Sequence, residues 1–114
     1  MYYYSLRISI SNIEQIDQIN RILEVKSNYP EVGWGLEIIK ENNYFEFNFT
    51  DYFLSILKEK DVELKDINIT PDDISIWVLY EYQDQCNLEF NSVDLTKIGS
   101  AGISLCISCW EKHP

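Results

Sequence analysis

Apolar and polar residues alternate with a period of two over the first ten positions. Tyr2, Tyr4, Leu6, Ile8 and Ile10 fall on one face and Tyr3, Ser5, Arg7 and Ser9 on the other, so the spacing predicts a strand over 2–10. The period then changes. Ile13, Ile16, Ile19, Ile22 and Leu23 line up as one stripe of a helix running to about Val25. Ser11 and Glu14 at its start fit a capping box, in which the hydroxyl accepts an orphan N–H and the carboxylate reaches back. Pro30 and Gly33 mark a loop over 27–33. Segments 35–40 and 44–49 read as a hairpin about Asn42-Asn43, with Phe45, Phe47 and Phe49 along one face. Thr50 then caps a second helix, with Asp51 suited to its N-terminus and Phe53, Leu54, Ile56 and Leu57 as its inner face.

The longest apolar stretch, 74–90, predicts a second hairpin around which the rest of the chain packs. Ile74, Ile76, Val78, Tyr80 and Tyr82 alternate onto one side, and Trp77 and Leu79 occupy the other. Large apolar residues on both sides predict a central strand buried on both faces. Asp84 and Gln85 make its turn, and Cys86, Leu88 and Phe90 carry the alternation back. Ahead of it, 61–73 has no helical stripe. Val62, Leu64, Ile67 and Ile69 there suit either a short edge strand or a loop pinned to the body, and Pro71-Asp72-Asp73 suits a turn. Ser92 caps a short helix carrying Val93, Leu95 and Ile98, which Gly99 ends, and 103–110 alternates as the last strand. The expected fold is a single α+β domain of order β-α-β-β-α-β-β-α-β, an about six-stranded, mostly antiparallel sheet with three helices packed on it.

Charge narrows the function classes. Nine Lys and Arg against 19 Asp and Glu leave a net charge of −10. Such a surface repels nucleic acid and anionic membrane, whose binding needs cations, and favours a basic protein partner. Solubility alone also accounts for it. The N-terminal stretch lacks a basic region followed by an apolar run, and no apolar stretch approaches the roughly 20 residues that span a bilayer. The expectation is a cytoplasmic chain with its three cysteines reduced. Charge is densest at Glu59, Asp61, Glu63 and Asp66, continued by Asp72 and Asp73. This run reads either as a solvated connection or as a docking surface, with Trp34 or exposed tyrosines as anchors beside it.

Catalytic chemistry finds few candidates. Cys106, Cys109, Cys86 and His113 nominally make a zinc set. Residues three apart on a strand point to opposite faces, however, so Cys106 and Cys109 diverge and pack as small hydrophobes. Only one His is present, next to last, and the four glycines form no phosphate-binding or nucleophile motif. Asp72 and Asp73 are adjacent, but a chain this acidic has close carboxylates by chance. The sequence therefore predicts no catalytic residue, no metal and no cofactor.

The C-terminal third, 88–99 followed by 102–110, resembles the ending of a family of small bacterial domains of unknown function, where a strand leads into a helix and an alternating last strand. Gly33-Trp34-Gly35-Leu36, ahead of 49–57, resembles the family's middle. Such domains occur among the immunity proteins of polymorphic toxin and contact-dependent inhibition systems. The chain departs from the pattern in carrying Cys106 and Cys109 where acidic or aromatic residues are usual. The resemblance implies an acidic protein that binds and neutralises a cognate toxin, with no catalytic motif to transfer; the charge of the chain makes a basic nuclease the expected toxin. The runner-up is a small enzyme or ligand-binding domain using carboxylates in a sheet cavity. A third reading is a structural subunit pairing through a strand edge; the expected state is a monomer or weak homodimer.

Overall fold

The alternation at the N-terminus becomes β1 (Tyr2–Ile8), and the sheet grows outward from it. In the computed structural model, which describes residues 1–41 and 47–113, β1 has a neighbour on each side. It pairs antiparallel with β2 (Trp34–Lys40), Leu6 opposite Leu36, and antiparallel with β3 (Ile74–Tyr82), Leu6 opposite Ile76. β4 (Ser104–Glu111) joins β3 in parallel, with Ile107 opposite Val78, giving the order β2-β1-β3-β4.

Among the described residues four helices complete the fold: α1 (Glu14–Leu23), α2 (Phe49–Leu57), α3 (Asp61–Asp66) and α4 (Ser92–Ser100). Single turns of 3-10 helix precede β2 (Pro30–Val32) and β3 (Pro71–Asp73). Tyr4, Leu6, Ile8, Ile74, Ile76 and Val78 share one face of the sheet. They form one buried cluster with Ile19 and Leu23 of α1, Phe53 and Leu57 of α2, Leu64 of α3 and Ile98 of α4. Every helix therefore lies against the same side. Among the described residues no helix is long and apolar enough to cross a membrane.

Among the described residues this architecture corrects the expected six strands and three helices to four strands and four helices. Residues 84–90 form no returning strand, and β3 takes β4 as its second neighbour instead. A parallel neighbour cannot be reached through a tight turn and needs a crossover, which α4 supplies. The expected turn Asn42-Asn43 and residues 44–46 of the second hairpin lie outside the described residues, and Phe49, expected on its strand, opens α2. Within 61–73, expected as edge strand or loop, residues 61–66 are helical. Asp61 and Glu63 sit in the first turn, where carboxylates favour the helix dipole, and Leu64 alone is buried, too little to show a period.

Capping is also redistributed. Ile13 is the N-cap of α1, and the buried Gln15 rather than Glu14 reaches back, its Oε1 accepting the Ser11 and Asn12 N–H groups. Asn48 and Asn91, not Thr50 and Ser92, cap α2 and α4. Each accepts the N–H three residues on, from Asp51 at 3.0 Å and Asp94 at 2.8 Å. Thr50 is thus inside the helix and wholly buried, and its hydroxyl has no partner among the described residues. Thr50→Val keeps the shape and removes that hydroxyl. It should raise stability by roughly 1 kcal/mol in a urea melt, because a buried unpaired polar group costs about that much. A destabilised variant would show that the hydroxyl is bonded.

Candidate functional site

Side chains alternate across a sheet, so helices confined to one face leave the other without helical cover. At the centre of that open face, on β3, stand Trp77 and Leu79, opposite Ser5 and Tyr3 of β1. The Arg7 guanidinium lies 4.3 Å from the Trp77 ring centre and 5.5 Å from that of Tyr29, whose loop folds over this side of β2. Arg7 Nε donates to Ser5 Oγ at 3.1 Å, and Ser5 is wholly buried beneath. Trp77 Nε1 donates to Ser75 Oγ at 3.1 Å. Farther along, Tyr3 stacks on Trp110 with ring centres 5.9 Å apart, and Trp110 Nε1 donates to Glu81 Oε2 at 3.4 Å. Trp110 is 38% and Ile39 54% exposed.

These contacts fix large rings in place at an accessible surface. A partner that buries them has less side-chain freedom to freeze, and Trp, Tyr and Arg are the residues that concentrate binding energy. Glu37 and Glu81 share the face. Beyond it the acidity is uneven: between Lys65 and Lys97 stand Asp66, Asp72, Asp73, Glu81, Asp84, Glu89 and Asp94, with no Lys or Arg.

The residues singled out from the sequence fall elsewhere. Glu59 is in the turn between α2 and α3 at φ 63°, a left-handed conformation, and Asp61, Glu63 and Asp66 are exposed along α3. All four belong to the helical layer, across the sheet from Trp77. Lys58, Lys60 and Lys65 interleave with them, so 58–66 carries four acids against three lysines. Glu59 and Asp61 line a cleft of about 630 Å³ whose apolar floor includes Leu57, Leu64, Ile74 and Ile103. On the same cleft Lys97 Nζ and Asp51 Oδ1 form an ion pair at 2.8 Å. Asp72 is exposed. Asp73 is engaged locally, its Oδ2 accepting the Thr70 N–H at 2.9 Å.

Trp34 is no surface anchor. It is 0% exposed, and its Nε1 donates to Asn20 Oδ1 at 2.8 Å inside the core. Trp110 is exposed and Trp77 half-buried on the open face instead. The signal for Trp77 was in the sequence, in the apolar second face of 74–82, but apolarity alone reads equally as burial.

The register settles the cysteines. Cys106 lies opposite Trp77 on the open face, whereas Cys109 lies opposite Tyr80 on the helical face. Cys86 belongs with Cys109: the neighbouring Cys86 thiol pushes the Cys109 thiol up to about 11. Two thiols of the nominal zinc set thus share a side and the third is across the sheet. The purified chain should hold no stoichiometric zinc and keep its melting temperature in chelator. One tightly bound equivalent by elemental analysis, lost together with folding on chelation, would contradict this register.

No family model, no curated protein and no solved structure matches this chain.

Proposed function

We propose that the chain is an immunity protein, which binds a cognate basic toxin and neutralises it by laying the open face of its sheet over the toxin's active site or substrate groove. The observation that carries this reading is the face without α-helical cover, with Ile39 and Trp110 exposed and Trp77 and Leu79 half-buried on it. Clustered accessible rings and aliphatic side chains on a sheet mark a place where another molecule sits. The net charge of −10 supports a basic partner, and a nuclease is basic because it must hold phosphates. The resemblance of 88–99 and 102–110 to immunity domains points the same way.

Co-expression tests it. A gene immediately upstream that encodes a basic protein lethal on its own should become tolerated when this chain is present, and the two proteins should co-purify. Lethality unrelieved by the chain would remove the toxin reading.

The cleft between α2, α3 and α4 favours a second reading, a small-ligand module using Asp51, Glu59 and Asp61. Its size lies within the range of small-molecule sites. A melting temperature raised by a metabolite, and held in a Trp77→Ala variant, would favour this reading over the first.

A further inference from the structure

The two edges of the sheet are finished differently. The outer edge of β2 is closed by the segment before it. Ser27 Oγ donates to the Gly35 carbonyl at 2.9 Å and accepts the Gly35 N–H at 3.0 Å. Asn28 does the same for Glu37, its Nδ2 donating to the carbonyl at 3.1 Å and its Oδ1 accepting the N–H at 2.7 Å. The backbone N–H groups of Asn28 and Tyr29 also reach the Gly35 carbonyl. These side chains stand where another strand would pair.

β4 has no such cover among the described residues. It pairs with β3 on one side and is the last strand of the sheet on the other. Edge strands are usually guarded by Lys, Pro, a bulge or shortness. β4 runs for eight residues in unbroken register with β3, and its sequence SLCISCWE contains no Lys and no Pro. Its one charge, Glu111, is at the very end. Ile107, at mid-strand, is 48% exposed although it faces the helical side.

We propose that β4 pairs antiparallel with β4 of a second copy of this chain, joining two sheets into one of eight strands. The strand is self-complementary about Ile107. With the twofold axis there, Ile107 meets its own counterpart, Leu105 opposes Cys109, and Cys106 opposes Ser108. Opposed residues keep their faces, because both members of each pair have the same parity. Glu111 then falls outside the paired stretch at both ends, so no carboxylate is desolvated and none meets its like. Centring on Ser108 would instead set Glu111 against Leu105. In the Ile107-centred dimer both open aromatic faces lie on the same side of the joined sheet. The pairing does not depend on the toxin reading, and its response to salt has the opposite sign. Two subunits of charge −10 repel each other, so salt favours the dimer.

Sedimentation velocity over a dilution series, at low and at high salt, tests the pairing. The parent chain should show a reversible monomer–dimer equilibrium that moves toward dimer as salt rises. Ile107→Lys places a guard in the middle of the edge. It should stay monomeric throughout and keep the parent melting temperature, since Ile107 is half exposed. Ile107→Cys, in a chain whose Cys86, Cys106 and Cys109 are replaced by Ser, should form one intersubunit disulfide under mild oxidation by glutathione disulfide. Two thiols give up two protons and two electrons, reducing the oxidant to two molecules of glutathione. Val93→Cys on α4, in the same background, should not cross-link. A parent chain that is monomeric at every concentration and salt overturns the proposal, as does a dimer that survives Ile107→Lys or fails to cross-link at position 107.

Discussion

Trp34→Ala should cost about 3–5 kcal/mol, the usual range for an aromatic deleted from a packed interior, and leave much of the chain unfolded at physiological temperature. Trp34 is wholly buried, and its ring nitrogen holds Asn20 Oδ1, which also accepts the Ser27 N–H at 2.9 Å. Ser27 in turn closes the edge of β2 through Gly35. Removing the ring therefore opens a cavity and loosens the tie between α1, the following loop and β2. Trp77→Ala is the comparison. Burial on both faces of β3, as its sequence predicts, would give Trp77 a loss of the same size. Its open-face position limits the cost to about 1–2 kcal/mol, from partial burial and the lost contact with Arg7. Urea melts of the two variants measure the difference directly. Equal losses would mean that the Trp77 face is covered, and the binding surface would lose its basis.

That contrast shows what periodicity does and does not encode. β1, α1 and the inner face of β3 were legible because alternation and helical spacing each put apolar residues on one side. Ile19, Leu23, Ile76 and Val78 are buried where the patterns put them. Ile13 belonged to the same stripe and is 75% exposed, because it caps α1 from outside. Pairing partners were not legible. Cys86, Leu88 and Phe90 alternate as a strand would, yet Phe90 packs edge-on against Phe49 from an irregular segment. Alternation tells which side chains point inward and says nothing about which strand lies alongside. α3 is too short for any period to emerge from six residues. Linear charge density is a weak guide in a similar way, since the lysines interleaved in 58–66 offset most of that run.

The largest functional effect should come from the open face. Trp77→Ala combined with Trp110→Ala removes two rings that Arg7 and Tyr3 hold in place. Anchors of this kind are worth about 2 kcal/mol or more each, so the pair should weaken toxin affinity by roughly a thousandfold, mainly through a faster off-rate. Protection of cells from the toxin should be lost while the variant remains folded, which its melting curve verifies. Reversing Glu59, Asp61, Glu63 and Asp66 to Lys acts on another step. These acids lie in the helical layer, so their loss should slow encounter with a basic toxin and leave the off-rate nearly unchanged. The on-rate of the parent should itself fall steeply with salt, because steering fades beyond a Debye length of about 8–10 Å near physiological ionic strength. A control reversing Glu14, Asp17 and Glu24 on and just beyond α1 separates local from net charge. Equal slowing in both sets assigns the effect to net charge, whereas a larger effect at 59–66 gives that segment a place at the rim of the complex. Stopped-flow association and dissociation of the three variants resolve these outcomes in one series. Full protection by the double tryptophan variant would exclude the open face as the interface. A quadruple variant with a much faster off-rate would move the interface to the α2–α3 side.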